Sequence, residues 1–103
     1  MKSISQNDFA PFVKDNQFVV LKFTAPWCAP CRALTPMLQT MSQEFSQIAF
    51  AEVNVDDSPA LAAQFNIRNV PTMIGFKDGV VQWMKVGLPA PSDLRQTLQS
   101  LVA

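Results

Sequence analysis

The chain contains no histidine and only two cysteines. Without a histidine there is no base for a Cys-His nucleophile, so that class of hydrolase is excluded. A structural zinc site needs about four ligands, and one copy of this chain cannot supply them. No apolar stretch approaches the ~20 residues of a membrane span. Net charge is zero, with eight basic and eight acidic residues spread along the sequence. No basic patch argues for nucleic acid, and no charge run suggests a tail. Internal repeats, low-complexity stretches and linkers are lacking too. The segment from Met1 to Asp8 has no signal-peptide hydrophobic region, so a cytoplasmic location is expected.

What is present is compact and specific. At 103 residues, 49% of them hydrophobic, the chain suits one domain, 1–103, around a single core. Its two cysteines stand three apart in Trp27-Cys28-Ala29-Pro30-Cys31. The run Phe18 to Phe23 before them reads as a buried strand. After them Leu34, Met37, Leu38, Met41 and Phe45 mark the seam of an amphipathic helix. Cys28 thus lies where a strand hands over to a helix N-terminus. Unpaired N–H groups and the positive dipole end favour a thiolate there. Cys31 lies one turn inward, placed to attack a mixed disulfide formed on Cys28. A reversible dithiol/disulfide couple is the favoured reading, as it is for a C-x-x-C in a reducing compartment. A zinc-bridged dimer and a purely structural disulfide remain as alternatives. The second would close a tiny loop and remove little unfolded-state entropy.

The remaining pattern gives the order βαβαββα, with a short extra strand at Ile4 in front. Asn7 or Asp8 is expected to cap a helix burying Phe9, Phe12 and Val13, with Pro11 in its first turn. The cysteine helix is expected over 29–45, with a kink at Pro36. Ile48 to Val55 reads as a strand. Ser58 and Pro59 open a short helix carrying Leu61, Ala62 and Phe65. Thr72 to Phe76 and Val80 to Val86 form a hairpin around Lys77-Asp78-Gly79. Ser92 is expected to cap a last helix bearing Leu94, Leu98, Leu101 and Val102. The strand–helix–strand crossover makes its two strands parallel. The fold class is therefore α/β, a mixed central sheet with helices on both faces.

At this point the chain resembles the thioredoxin family along nearly its whole length. The matching pieces are Phe23 to Cys31, Pro36, Asn54-Val55-Asp56, Phe65 to Arg68, Val70-Pro71-Thr72, Phe76 to Gly79 and Val86-Gly87. The resemblance implies a thioredoxin fold and protein-disulfide reduction. It makes Cys28 the exposed attacking thiol and Cys31 the buried resolving one. Pro71 matches the family's cis-proline; taken alone it reads as an ordinary trans proline opening a strand. Trp27, Ala29, Pro30, Val70, Pro71, Gly87 and Leu88 would then form a flat apolar substrate groove. Trp27 taken alone reads equally well as core packing. No cofactor and no metal is implied. The implied partners are disulfide-containing proteins and a thioredoxin reductase-type electron donor, and the chain is expected to act as a monomer.

Two departures stand out. The family's usual middle pair is Gly-Pro; here it is Ala29-Pro30. The family also has a buried Asp on the strand before the active site, with a Lys on the next strand. Here those positions hold Lys22 and Glu52, a charge-reversed pair. Each is the lone charge in an apolar run, and lone buried charges are costly unless paired. Both enter as candidate catalytic residues. A charged Lys22 would favour thiolates and push the couple toward oxidising. A neutral one, or one relayed through Glu52 and a water, would act as base, and this second role is the expected one. A thiol oxidase, an isomerase and a non-catalytic scaffold are the rival functions.

Overall fold

The computed structural model describes residues 1–103. The elements are β1 (Lys2–Ser3), α1 (Gln6–Asp15), β2 (Phe18–Thr24), α2 (Ala29–Glu44), β3 (Ile48–Asn54), α3 (Pro59–Gln64), β4 (Thr72–Lys77), β5 (Val80–Val86) and α4 (Pro91–Val102). Five strands make one sheet in the order β1-β3-β2-β4-β5. The pairs β1–β3 and β2–β3 are parallel; β2–β4 and β4–β5 are antiparallel. Alternation along β2 divides the interior. Val19, Leu21 and Phe23 face the side packed by Val13 of α1 and Leu61 of α3. Val20 faces the side packed by Leu34 and Leu38 of α2 and Leu94 and Leu98 of α4. Helices therefore cover both faces, as the α/β reading required. Lys22 points to the α2 side by the same period of two.

The hairpin turn is confirmed. Asp78 and Gly79 both adopt positive φ, at 52° and 79°, as a two-residue turn of the mirror-image type demands. Gly75 has a different reason. The Trp83 indole from β5 lies directly on it, leaving no room for a side chain.

Two caps differ from expectation. The cap of α1 is Ser5, not Asn7 or Asp8. Asp8 is the third residue of the helix and its carboxylate reaches back to accept from the Ser5 N–H at 3.0 Å. It completes the cap instead of forming it. In α4 the cap is Ala90 rather than Ser92, because Pro91 takes the first helical position. Its fixed φ and missing N–H suit that place. Ser58 does cap α3 by position, yet its hydroxyl accepts from the Gln6 N–H and ties α1 to α3. The first strand stops one residue before Ile4, whose N–H still bonds Glu52 O at 2.9 Å. Helix α2 continues through Pro36 without interruption.

Candidate active site

The β2–α2 connection ends at Cys28, which is the N-cap of α2 in extended conformation. Its Sγ accepts from the Cys31 N–H at 3.2 Å. One of the orphan donors of the helix N-terminus therefore points at the sulfur. Cys28 and Cys31 form a disulfide, with Cα atoms 5.3 Å apart. In this oxidised state both residues are buried: Cys28 is 4% accessible and Cys31 1%. The expected exposure of Cys28 concerns the free thiol of the dithiol form; in the disulfide the cause of the burial is local. Ala25 packs against both sulfur residues, with Val55 and Val70 beside them.

The Val70–Pro71 peptide bond is cis, and Val70 O lies 3.6 Å from Cys28 Sγ. A disulfide sulfur carries no proton, so this is a contact in the present state; a thiol there could donate. Gly87, at φ 92°, donates its N–H to Pro71 O at 2.8 Å and anchors the end of β5 beside it. Trp27 is 69% exposed, which rules out core packing, and its Nε1 donates to Asp56 Oδ2 at 3.2 Å. Ala29, Pro30 and Leu88 are exposed, Val70 and Gly87 half-buried, and Pro71 buried. Of the seven residues expected in the groove, Ala29 and Pro30 lie between the cysteines, Val70 O reaches Cys28 Sγ and Gly87 is bonded to Pro71.

Beneath the disulfide lies the departure noted in the sequence. Lys22 and Glu52 are register partners in the parallel β2–β3 pair. Lys22 Nζ stands 3.7 Å from Glu52 Oε2. The Lys22 side chain is 1% exposed and that of Glu52 26%. Nζ also donates to the Cys31 carbonyl at 2.8 Å and to Thr35 Oγ1 at 2.5 Å. Burial pushes the Lys22 ammonium below its usual range, and the Glu52 carboxylate opposes that shift. The amine is thus attached to the backbone of the second cysteine. Thr35 was missed in the sequence. Its signal was available: it lies four residues after Cys31 on a helix facing a strand with a lone lysine. Asp56, the anchor of Trp27, was quoted only as part of a matching motif. No group of three or more His, Cys, Asp or Glu residues is arranged to hold a metal ion.

The family model described as Thioredoxin matches residues 1–100. This chain belongs to the thioredoxin family. A thioredoxin of Chlamydia caviae is 40% identical over 88 residues, 85% of each chain. One of Pyropia yezoensis is 35% identical over 106 residues, covering 98% of this chain and 99% of its own. The solved structure of Plasmodium falciparum thioredoxin superposes with a TM-score of 0.91 at 28% identity, covering 97% of this chain and 98% of that one. With this family and this disulfide, the protein is a protein-disulfide oxidoreductase working by dithiol–disulfide exchange. Its partners are in general terms disulfide-containing substrates and a reductase-type electron donor. No helix is long and apolar enough to cross a membrane.

Proposed function

We propose that the chain is a cytoplasmic, monomeric carrier that reduces disulfides in protein substrates, with Cys28 as nucleophile and Cys31 as resolving thiol. The observation that carries this assignment is the Cys28 sulfur at the α2 N-terminus, accepting the Cys31 N–H. The same N–H stabilises a Cys28 thiolate in the dithiol form. That thiolate attacks one sulfur of the substrate disulfide. A mixed disulfide forms and the other substrate sulfur leaves as a thiolate. Cys31 loses its proton, attacks Cys28 Sγ, and releases the second substrate thiol. Two electrons and two protons pass to the substrate, and the Cys28–Cys31 bond closes. A thioredoxin reductase-type donor returns the dithiol. Val70 O and its apolar neighbours suit an extended chain lying across Cys28.

Lys22 is the unusual element of this cycle. Its Nζ donates to a carbonyl and a hydroxyl, and the Glu52 carboxylate stands 3.7 Å away. That carboxylate opposes the cost of burial and supports the charged form over the neutral base expected from sequence. A fixed positive charge under Cys31 stabilises its thiolate in the resolving step. The same charge supports a second reading, a more oxidising couple that acts as thiol oxidase or isomerase. Equilibrium against a glutathione buffer separates the two, a reducing value supporting the carrier. To test the roles, mix the reduced Cys31→Ser variant with a protein disulfide. A long-lived mixed disulfide on Cys28 is expected. A Cys28→Ser, Cys31→Ser double variant that still binds and stabilises its partner with full function would support the scaffold reading and refute this one.

A further inference from the structure

The residue α2 contributes below the disulfide is a threonine whose hydroxyl has two partners. Thr35 Oγ1 accepts from Lys22 Nζ at 2.5 Å and donates to the Cys31 carbonyl at 3.3 Å. A threonine inside a helix often bonds back to the carbonyl four residues earlier, with no other role. Here that bond is the longer of the two, and the shorter one runs to another element. Lys22 Nζ bonds the same Cys31 carbonyl, so the three groups close a ring around one backbone oxygen. A long, flexible lysine side chain has few fixed positions of its own. Between β2 and α2, this ring gives it one.

We propose that Thr35 is a positioning residue: its hydroxyl holds the Lys22 ammonium on the Cys31 carbonyl and so sets how strongly the resolving thiolate is stabilised. The inference rests on the reading of Lys22 as a charged group. Three further features fit it. Thr35 is half-buried, and an open recess of about 290 Å³ reaches it and Glu52 together with Arg32, Thr24 and Asn54. Water can therefore exchange protons at the edge of the cluster while Lys22 stays shielded. Charge around the ammonium is otherwise sparse. Glu52 faces it from β3, Arg32 on α2 turns its guanidinium to Pro26 O at 2.8 Å, and β4 offers Met73 as the register neighbour. Thr35 is thus the uncharged member of the cluster that touches both Lys22 and Cys31. Its one proton goes to the Cys31 carbonyl, which leaves the oxygen lone pairs to accept from the ammonium.

The test follows the resolving step across pH in rapid-quench experiments with a protein mixed disulfide on Cys28. It compares wild type with Thr35→Val, Thr35→Ser, Lys22→Met and the Lys22→Met, Thr35→Val double variant. In Thr35→Val the midpoint of the profile should rise by roughly half to one pH unit, a threefold to tenfold loss of rate below it. Thr35→Ser, which keeps the hydroxyl, should run with wild type. In the Lys22→Met background, Thr35→Val should change nothing further. A wild-type profile for Thr35→Val beside a shifted one for Lys22→Met would overturn the role of Thr35 and leave that of Lys22 standing. Equal shifts from Thr35→Val in both backgrounds would also overturn it, since the effect would then come from α2 alone. A wild-type profile for Lys22→Met would remove the reading of Lys22 itself.

Discussion

Two ion pairs in this protein look alike in chemistry and differ in everything else. Glu44 at the end of α2 holds Arg95 of α4 in a two-bond fork, at 2.8 and 3.0 Å. Both side chains are more than 40% exposed. Lys22 and Glu52 are farther apart, at 3.7 Å, yet one of them is sealed from water. The shorter pair is the weaker device. Water competes for both of its charges and salt screens them. The longer pair sits where desolvation makes the Lys22 charge expensive, so its partner matters and an unpaired ammonium is costly. Distance alone misranks them; burial and position below Cys31 decide.

The comparison breaks most visibly under charge reversal. Lys22→Asp puts a second acid beside Glu52, and Glu52→Lys puts a second amine beside Lys22. Each should destabilise the fold by roughly 3 kcal/mol, less for the Glu52 change because that side chain is partly solvated. The double reversal should recover most of the loss and remain active. Urea unfolding of the four proteins measures this. If both single reversals match wild type, the two side chains do not interact.

Removing the buried charge altogether should be milder. Lys22→Met should fold within about 1 kcal/mol of wild type, because a similar apolar volume replaces a costly ammonium. Its stability should also lose a pH dependence. Burial lowers the Lys22 value in the folded state, so the unfolded chain binds more protons between that lowered value and the ordinary lysine value. Wild-type stability therefore gains a contribution as pH rises through that window. Unfolding curves at neutral and alkaline pH should show this gain in wild type relative to Lys22→Met. An identical pH dependence in both would mean that Lys22 is not desolvated.

The smallest effect belongs to the surface. Glu44→Gln should change stability slightly, and added salt should erase the difference. The Arg95 guanidinium holds the Glu44 carboxyl below its usual range. Its contribution is present above the ordinary carboxylate range and fades as pH falls through the lowered value. A loss as large as that of the buried reversals would invert the ranking.

How far these features were legible follows from their range. The strands, the turn at Asp78-Gly79 and the amphipathic helix were readable because alternation and periodicity are local. The two sulfurs were readable because their spacing carries the chemistry. Pairing of Lys22 with Glu52 could be argued because a right-handed crossover sets two apolar runs side by side, each with one charge. Thr35 was legible only in its spacing from Cys31. Its role depends on which face of α2 packs over Lys22, a tertiary fact. The helix starts at Ser5 and Pro91 were misplaced because several polar residues compete for a cap, and geometry chooses among them. The shielding of Cys28 came from Ala25, Val55 and Val70, distant in sequence from one another.

The central claim is that the Lys22 charge beneath Cys31 sets the balance between dithiol and disulfide. The direct measurement is the equilibrium of wild type, Lys22→Met and Glu52→Gln against a glutathione buffer at neutral pH. Removing the positive charge should move the equilibrium several-fold toward the disulfide, a more reducing couple. Removing the opposing carboxylate should move it the other way. Two variants that match wild type, or that shift in the same direction, would contradict the claim.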